Sequence, residues 1–229
     1  MQCDQRVLTG AVGWLGAILT GAGEGLLHYA PAGFGDPVAY HFFTLIPERR
    51  IFAGHFLSIF AGPLYLIGYY HIYRMLEPAP RQWRLAVLLT GWYSFFVGIA
   101  WLGSRAYLAI LAQAEAQAHG ETLEVLQALL EKAAFLNENI LTVTRLGVLA
   151  ISVMLPIIIL RGQTQYPRWF VWINPILLVL LSFLLYLVVP PIGSFLMPIA
   201  MNAAHVVFFS LSTWIAWQLS RQEQTPSET

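Results

Sequence analysis

Glu24 and His28 stand one helical turn apart near the end of the first apolar run of the chain, Val7 to Tyr29. A carboxylate and an imidazole on one helix face can pass a proton, ligate a metal or hold the polar head of a ligand. Neither belongs in such a run by default. A charged side chain at the centre of a membrane helix costs roughly 2.5–3.5 kcal/mol on insertion scales, so it marks a polar site with a partner. Later apolar runs add His55, Arg105, Arg145, Asn202 and His205. A zinc centre would draw on His28, His55 and His205 with Glu24, leaving one position for water, yet no local His-Glu motif marks one. A haem would need His55 and His205 facing each other at matched depth. Metal-free acid-base chemistry, or proton-coupled binding, needs only Glu24 and a histidine. No metal or cofactor is assigned on these residues. The plainer arrangement is a buried pair, Glu24 with Arg105 or Arg145, that holds helices in register.

The elements that must position these residues are helices in lipid. Of 229 residues, 58% are hydrophobic and only 10% charged, against about 25% charged in soluble domains. Net charge is formally zero, which excludes the basic surface that nucleic-acid binding requires. The lone cysteine, Cys3, excludes an internal disulfide and a cluster ligated by cysteines of this chain alone. The lone lysine, Lys132, lies in a charged segment, so no residue offers a retinal Schiff base. Ala30-Pro31-Ala32 after the first run has the look of a signal-peptide cleavage site. The length of that run and its Glu24 and His28 favour retention as a membrane helix.

Hydropathy predicts an all-α fold: a polytopic transmembrane bundle of six membrane helices forming a single domain. The segments are Val7 to Tyr29, Ile51 to Tyr73, Leu85 to Tyr107, Ile140 to Leu160, Trp169 to Val189 and Leu196 to Leu219, each within the span of about 17–25 residues that crosses a bilayer. Pro31 to Arg50 is a loop with Gly33, Gly35, Asp36-Pro37 and Pro47 as breakers, and Asp36 with His41 is a candidate lid. Gln113 to Glu138 reads as an external helical extension between helices three and four, interrupted at His119-Gly120. Its apolar stripe of Leu123, Leu126, Leu130 and Ala133 is expected to pack on the hairpin itself or on a loop. Pro190-Pro191 is expected to break the chain before the last helix. Arg6, Arg74, Arg81, Arg84, Arg161, Arg168 and Arg221 share one predicted side, against Arg49, Arg50, Arg105 and Lys132 on the other. The positive-inside rule then puts both termini in the cytoplasm, at a cell membrane.

Gly13, Ala17, Gly21 and Gly25 recur every four residues in the first helix, a spacing that admits a neighbouring helix closely on the face shared by Glu24 and His28. Counting 1.5 Å per residue places Glu24, His28, His55, Arg105, Arg145, Asn202 and His205 in the outer half of the bundle. Stripes such as His55, Ser58, Gly62, Tyr65, Tyr69 in the second helix and Asn202, His205, Phe209, Ser212 in the sixth turn these residues toward a common pocket. Helices one, two, three, four and six should line it, and the fifth should face lipid. His71, beside Tyr69, Tyr70 and Tyr73, reads as part of an interfacial aromatic belt.

The glycine-rich first helix with its acid, Gly62-Pro63-Leu64-Tyr65 with Gly68, Tyr166-Pro167-Arg168-Trp169 followed by Asn174-Pro175, and Asn202 with His205 together resemble uncharacterised bacterial multi-pass membrane proteins of a domain-of-unknown-function family. The resemblance implies a prokaryotic six-helix membrane protein and no activity. The residues themselves predict an outward-facing intramembrane pocket that binds or transports a small amphiphile or lipid. A membrane-embedded enzyme using Glu24, His55 and His205 is the first alternative, and an accessory subunit whose polar cluster only fixes packing is the second. Membrane lipid, a small amphiphilic ligand and a second copy in a homo-oligomer are the partners this reading admits. A nucleic acid is not among them.

Overall fold

A computed structural model describes residues 4–33 and 39–224. Cys3 and the Asp36 of the candidate lid lie outside them. The described residues form helices, turns and loops, without a strand.

The first helix, α1 (Gln5–His28), starts where the Asp4 side chain accepts a hydrogen bond from the Arg6 backbone N–H at 2.8 Å and satisfies one of the free donors of the first turn. It is the centre of the fold, packed against α2 (Glu48–Ala61), α3 (Leu64–Met75) and α8 (Ala200–Gln224). Its small residues explain why. A methyl group added at Gly13 would lie 2.5 Å from the Cα of Gly68 on α3, and one at Gly23 would lie 2.8 Å from the Gly54 carbonyl oxygen on α2. Backbones therefore touch where these helices cross.

The predicted second helix is two helices. Pro63 has no N–H to continue the ladder, and the chain turns at Gly62-Pro63 between α2 and α3. In contrast, α4 (Arg81–Glu115) and α5 (Glu121–Leu160) run unbroken for 35 and 40 residues, about 53 and 60 Å at 1.5 Å per residue. They pair antiparallel, and their outer ends make up the 113–138 segment, joined at Gly120, whose φ of 59° suits glycine. Leu130, Ala133 and Ala134 pack on Leu27, Phe43, Ile46 and Ala109, so the apolar stripe covers the loop after α1. Gln113 pins that loop by donating to the Phe43 and Ile46 carbonyls at 3.0 and 2.8 Å.

The predicted fifth segment is shortened. Arg168–Trp172 is a 3-10 turn, and α6 (Pro175–Val188) begins only at Asn174, which caps Ile176 N–H at 3.0 Å. Pro175 suits the first helical position and cannot extend a helix from before it. Pro190-Pro191 likewise opens α7 (Pro190–Leu196) instead of breaking the chain. There α7 folds back on α6, with Gly193 against the Tyr186 backbone, and leads through a 3-10 turn at Met197–Ile199 into α8. Among the described residues, five stretches are long and apolar enough to cross a membrane: α1, α2 with α3, α4, α5, and α7 with α8; α6 is shorter.

Candidate functional site

One face of α1 carries Thr20, Glu24 and His28 on successive turns, and each neighbouring helix brings a polar partner to it. From α8, Asn202 donates its amide N–H to Glu24 Oε2 at 2.6 Å; from α3, Tyr65 donates its hydroxyl to Asn202 Oδ1 at 2.5 Å. Close approach at Gly21 makes this contact feasible, since a methyl there would lie 2.9 Å from Asn202 Cβ. The expected ion pair of Glu24 with Arg105 or Arg145 is not formed: among the described residues the partner of Glu24 is the Asn202 amide. An amide can accept and donate at once, so it links the carboxyl to Tyr65 where an arginine could only donate. Glu24 Oε1 takes no hydrogen bond from a described residue.

One turn further out, Arg105 of α4 donates its Nε–H to His28 Nε2 at 2.8 Å. Arginine has no acceptor, so this imidazole nitrogen is bare and the His28 proton sits on Nδ1. The same guanidinium donates to Asn137 Oδ1 at 3.0 Å and lies 3.7 Å from Glu138. The rings of Tyr40, Phe43 and Trp101 stand 5.3, 5.2 and 5.3 Å from its central carbon, within cation–π reach. Tyr40, in the loop after α1, donates to Glu138 at 3.0 Å, and burial with that carboxylate pushes its phenol above the ordinary value.

These two clusters border a cavity of about 790 Å³, mostly apolar, with walls from α1, α4, α5, α6 and α8. Leu146 and Leu149 on α5, and Leu180 and Phe183 on α6, line it and are also exposed, so it opens sideways between these two sparsely packed helices. Two of its polar lining residues have buried atoms with no hydrogen-bond partner, Thr20 Oγ1 and Trp101 Nε1. Arg145 projects from α5 at the same cavity, exposed and without an ion pair or hydrogen bond among the described residues.

Glu24, His28, Arg105, Arg145 and Asn202 thus border a shared space, and two expected members do not. His55 does not line it; its ring packs edge-on against Phe56 and Tyr107. Ser58, Gly62, Tyr65 and Tyr69 of the same predicted stripe are buried, and the cavity reaches Gly62 and Tyr65 but not His55 at the end of the stripe. His205 is fully buried behind Asn202, hydrogen-bonded to Tyr69 through Nε2 and to the Met201 carbonyl through Nδ1. With both nitrogens engaged it cannot ligate. Among the described residues no three His, Cys, Asp or Glu side chains are placed to hold a metal, so the set of His28, His55, His205 and Glu24 does not form a metal centre. Of the second predicted helix, Gly62 and Tyr65 line the cavity; the fifth is mostly exposed, and α6 also supplies Val179, Leu180 and Phe183 to the cavity wall.

Tyr40, Thr20 and Asn137 carry no motif that would single them out in the sequence. His71 is not in an aromatic belt. It is fully buried, bonded to the Arg6 carbonyl and, at 2.7 Å, to Ser212, which also meets the Tyr166 hydroxyl at 2.7 Å. This second network closes the end of the bundle near Asp4, Arg6 and Glu223.

The chain belongs to a family of unknown function, DUF6796, whose profile matches residues 5–218. No curated protein and no solved structure matches it.

Proposed function

We propose that the chain is a polytopic membrane protein, with both termini cytoplasmic, that binds or transports a small amphiphile or lipid in the cavity between α1, α4, α5, α6 and α8. Its long apolar helices support the membrane setting. The observation that carries the binding reading is the cavity itself. Its volume of about 790 Å³ falls within the roughly 300–1,000 Å³ of small-molecule sites, and apolar walls around a few polar groups are what such sites share. The sideways opening would admit a ligand directly from the acyl region of the outer leaflet.

A packing lock would explain the Glu24–Asn202–Tyr65 chain by itself. It leaves unexplained why open space remains beside that chain and why Thr20 Oγ1 and Trp101 Nε1, on residues lining that space, have no partner, because buried polar groups in a finished core are satisfied. Those atoms favour a ligand.

The test is equilibrium binding of a fluorescently tagged oleoyl amphiphile to the purified protein in detergent, with Val179→Trp narrowing the cavity from the α6 wall. Saturable binding that Val179→Trp weakens supports the reading. Absence of saturable binding, or an affinity indifferent to the filled cavity, overturns it.

A further inference from the structure

We infer that the amphiphile carries an anionic phosphate-class head, and that Arg145 holds it at the opening between α5 and α6; this rests on the pocket reading above. Among the described residues the cavity borders on two cations, Arg105 and Arg145, and the second has no partner. Arg105 is engaged by His28, Asn137, Glu138 and the surrounding rings. Arg145 has no ion pair, hydrogen bond or ring contact among the described residues. Neither cavity carboxylate serves it: Glu24 is bonded to Asn202, and Glu138 to Tyr40 and Arg105.

The position of Arg145 makes a missing partner informative. Leu160, at the inner end of α5, lies fifteen residues further on, so Arg145 stands about 22 Å above it at 1.5 Å per residue, inside a hydrocarbon layer about 30 Å thick. Its neighbours along the cavity are Leu141, Leu146 and Leu149. An unpaired guanidinium at such depth is costly, and an anionic head drawn into the opening would neutralise it. Guanidinium is planar and donates two parallel hydrogen bonds, which matches a phosphate better than a point-charge ammonium does. Thr20 and Trp101, which line the cavity and each carry a buried polar atom without a partner, Thr20 Oγ1 and Trp101 Nε1, are a second and independent sign of a ligand with polar groups below its head.

Three probes separate head from chain: oleoyl-glycerol phosphate, mono-oleoylglycerol, which lacks only the phosphate, and glycerol phosphate, which lacks only the chain. The wild-type protein in a neutral detergent is expected to bind the phosphate-headed lipid roughly tenfold or more tightly than mono-oleoylglycerol, the ratio one charge-assisted bidentate contact supplies. R145Q should erase that ratio while leaving mono-oleoylglycerol affinity unchanged, which also shows that the variant is folded, and R145K should restore it only in part. Equal wild-type affinity for the two oleoyl lipids, or an equal loss for both in R145Q, overturns the head assignment and leaves the pocket standing. Failure of both lipids to bind removes the pocket and this inference together. Competition by glycerol phosphate as strong as by the full lipid would identify a soluble-anion site and overturn the lipid assignment.

Discussion

Replacing Asn202 by Leu removes both hydrogen bonds of the chain that ties α8 to α1 and α3, the 2.6 Å bond to Glu24 and the 2.5 Å bond from Tyr65. Tyr65→Phe removes the second alone. All three residues are buried, so water does not replace what is lost. Interhelical hydrogen bonds in helical membrane proteins are worth about 0.6 kcal/mol on average and up to about 1.7. Tyr65→Phe should therefore cost about 0.6–1.7 kcal/mol and Asn202→Leu about twice that, since the shapes are otherwise conserved. In a chain of this length 1 kcal/mol moves the midpoint of unfolding by about 2–4 °C, so Asn202→Leu should lower Tm by about 2–14 °C in detergent. The decisive figure is the coupling. Because the two substitutions share one bond, the double variant should be no less stable than Asn202→Leu alone, and the double-mutant cycle should return that bond as an interaction energy. Additive effects of the two substitutions would refute the chain.

Gly13→Ala should destabilise by about 1–3 kcal/mol, the range for overpacking, because its methyl meets the Gly68 backbone at 2.5 Å; Gly25→Ala, whose methyl meets only Ile199 Cγ2 at 3.5 Å, should be neutral or slightly stabilising, and thermal unfolding of the pair checks the contrast. At the other end of α1, the hydrogen bond from Arg6 holds the Asp4 carboxyl below its usual range. A depressed folded-state value stabilises above the ordinary 3.8 and is lost as pH falls through the folded value. Asp4→Ala should thus cost about 0.5–2 kcal/mol near neutral pH through the lost cap, with the deficit shrinking in acid below the ordinary carboxyl value. A Tm deficit that stays constant down the pH scale would contradict the assignment.

Much of the positioning is legible in the sequence. The spacing of Gly13, Ala17 and Gly21 points to the face on which α8 and α3 approach α1, and the same step carries Glu24 and His28 to it. Long apolar runs identify α4 and α5, and their alanine- and leucine-rich continuation explains why both helices extend beyond the predicted segments. The extent of the pocket was harder to read. The stripe from His55 to Tyr69 keeps one face through Gly62-Pro63, yet nothing in it shows that the cavity reaches Gly62 and Tyr65 and stops short of His55. Partner choice was not legible either: charge alone suggests Glu24 with an arginine, whereas the helix order places an amide nearest and sends Arg105 to His28. The burial of His71 depends on Ser212 and Tyr166, more than 90 residues away in sequence, and no local pattern encodes that meeting.

Trp101 lines the cavity and can report its contents. Titration with an amphiphile brominated on its acyl chain should quench the fluorescence of this residue, seen as saturable quenching in the wild-type protein that is lost in Trp101→Phe. Quenching that is the same with and without Trp101, rising with lipid and never saturating, would mean the chain reaches only the outer surface of the helices and that the cavity is not the binding site.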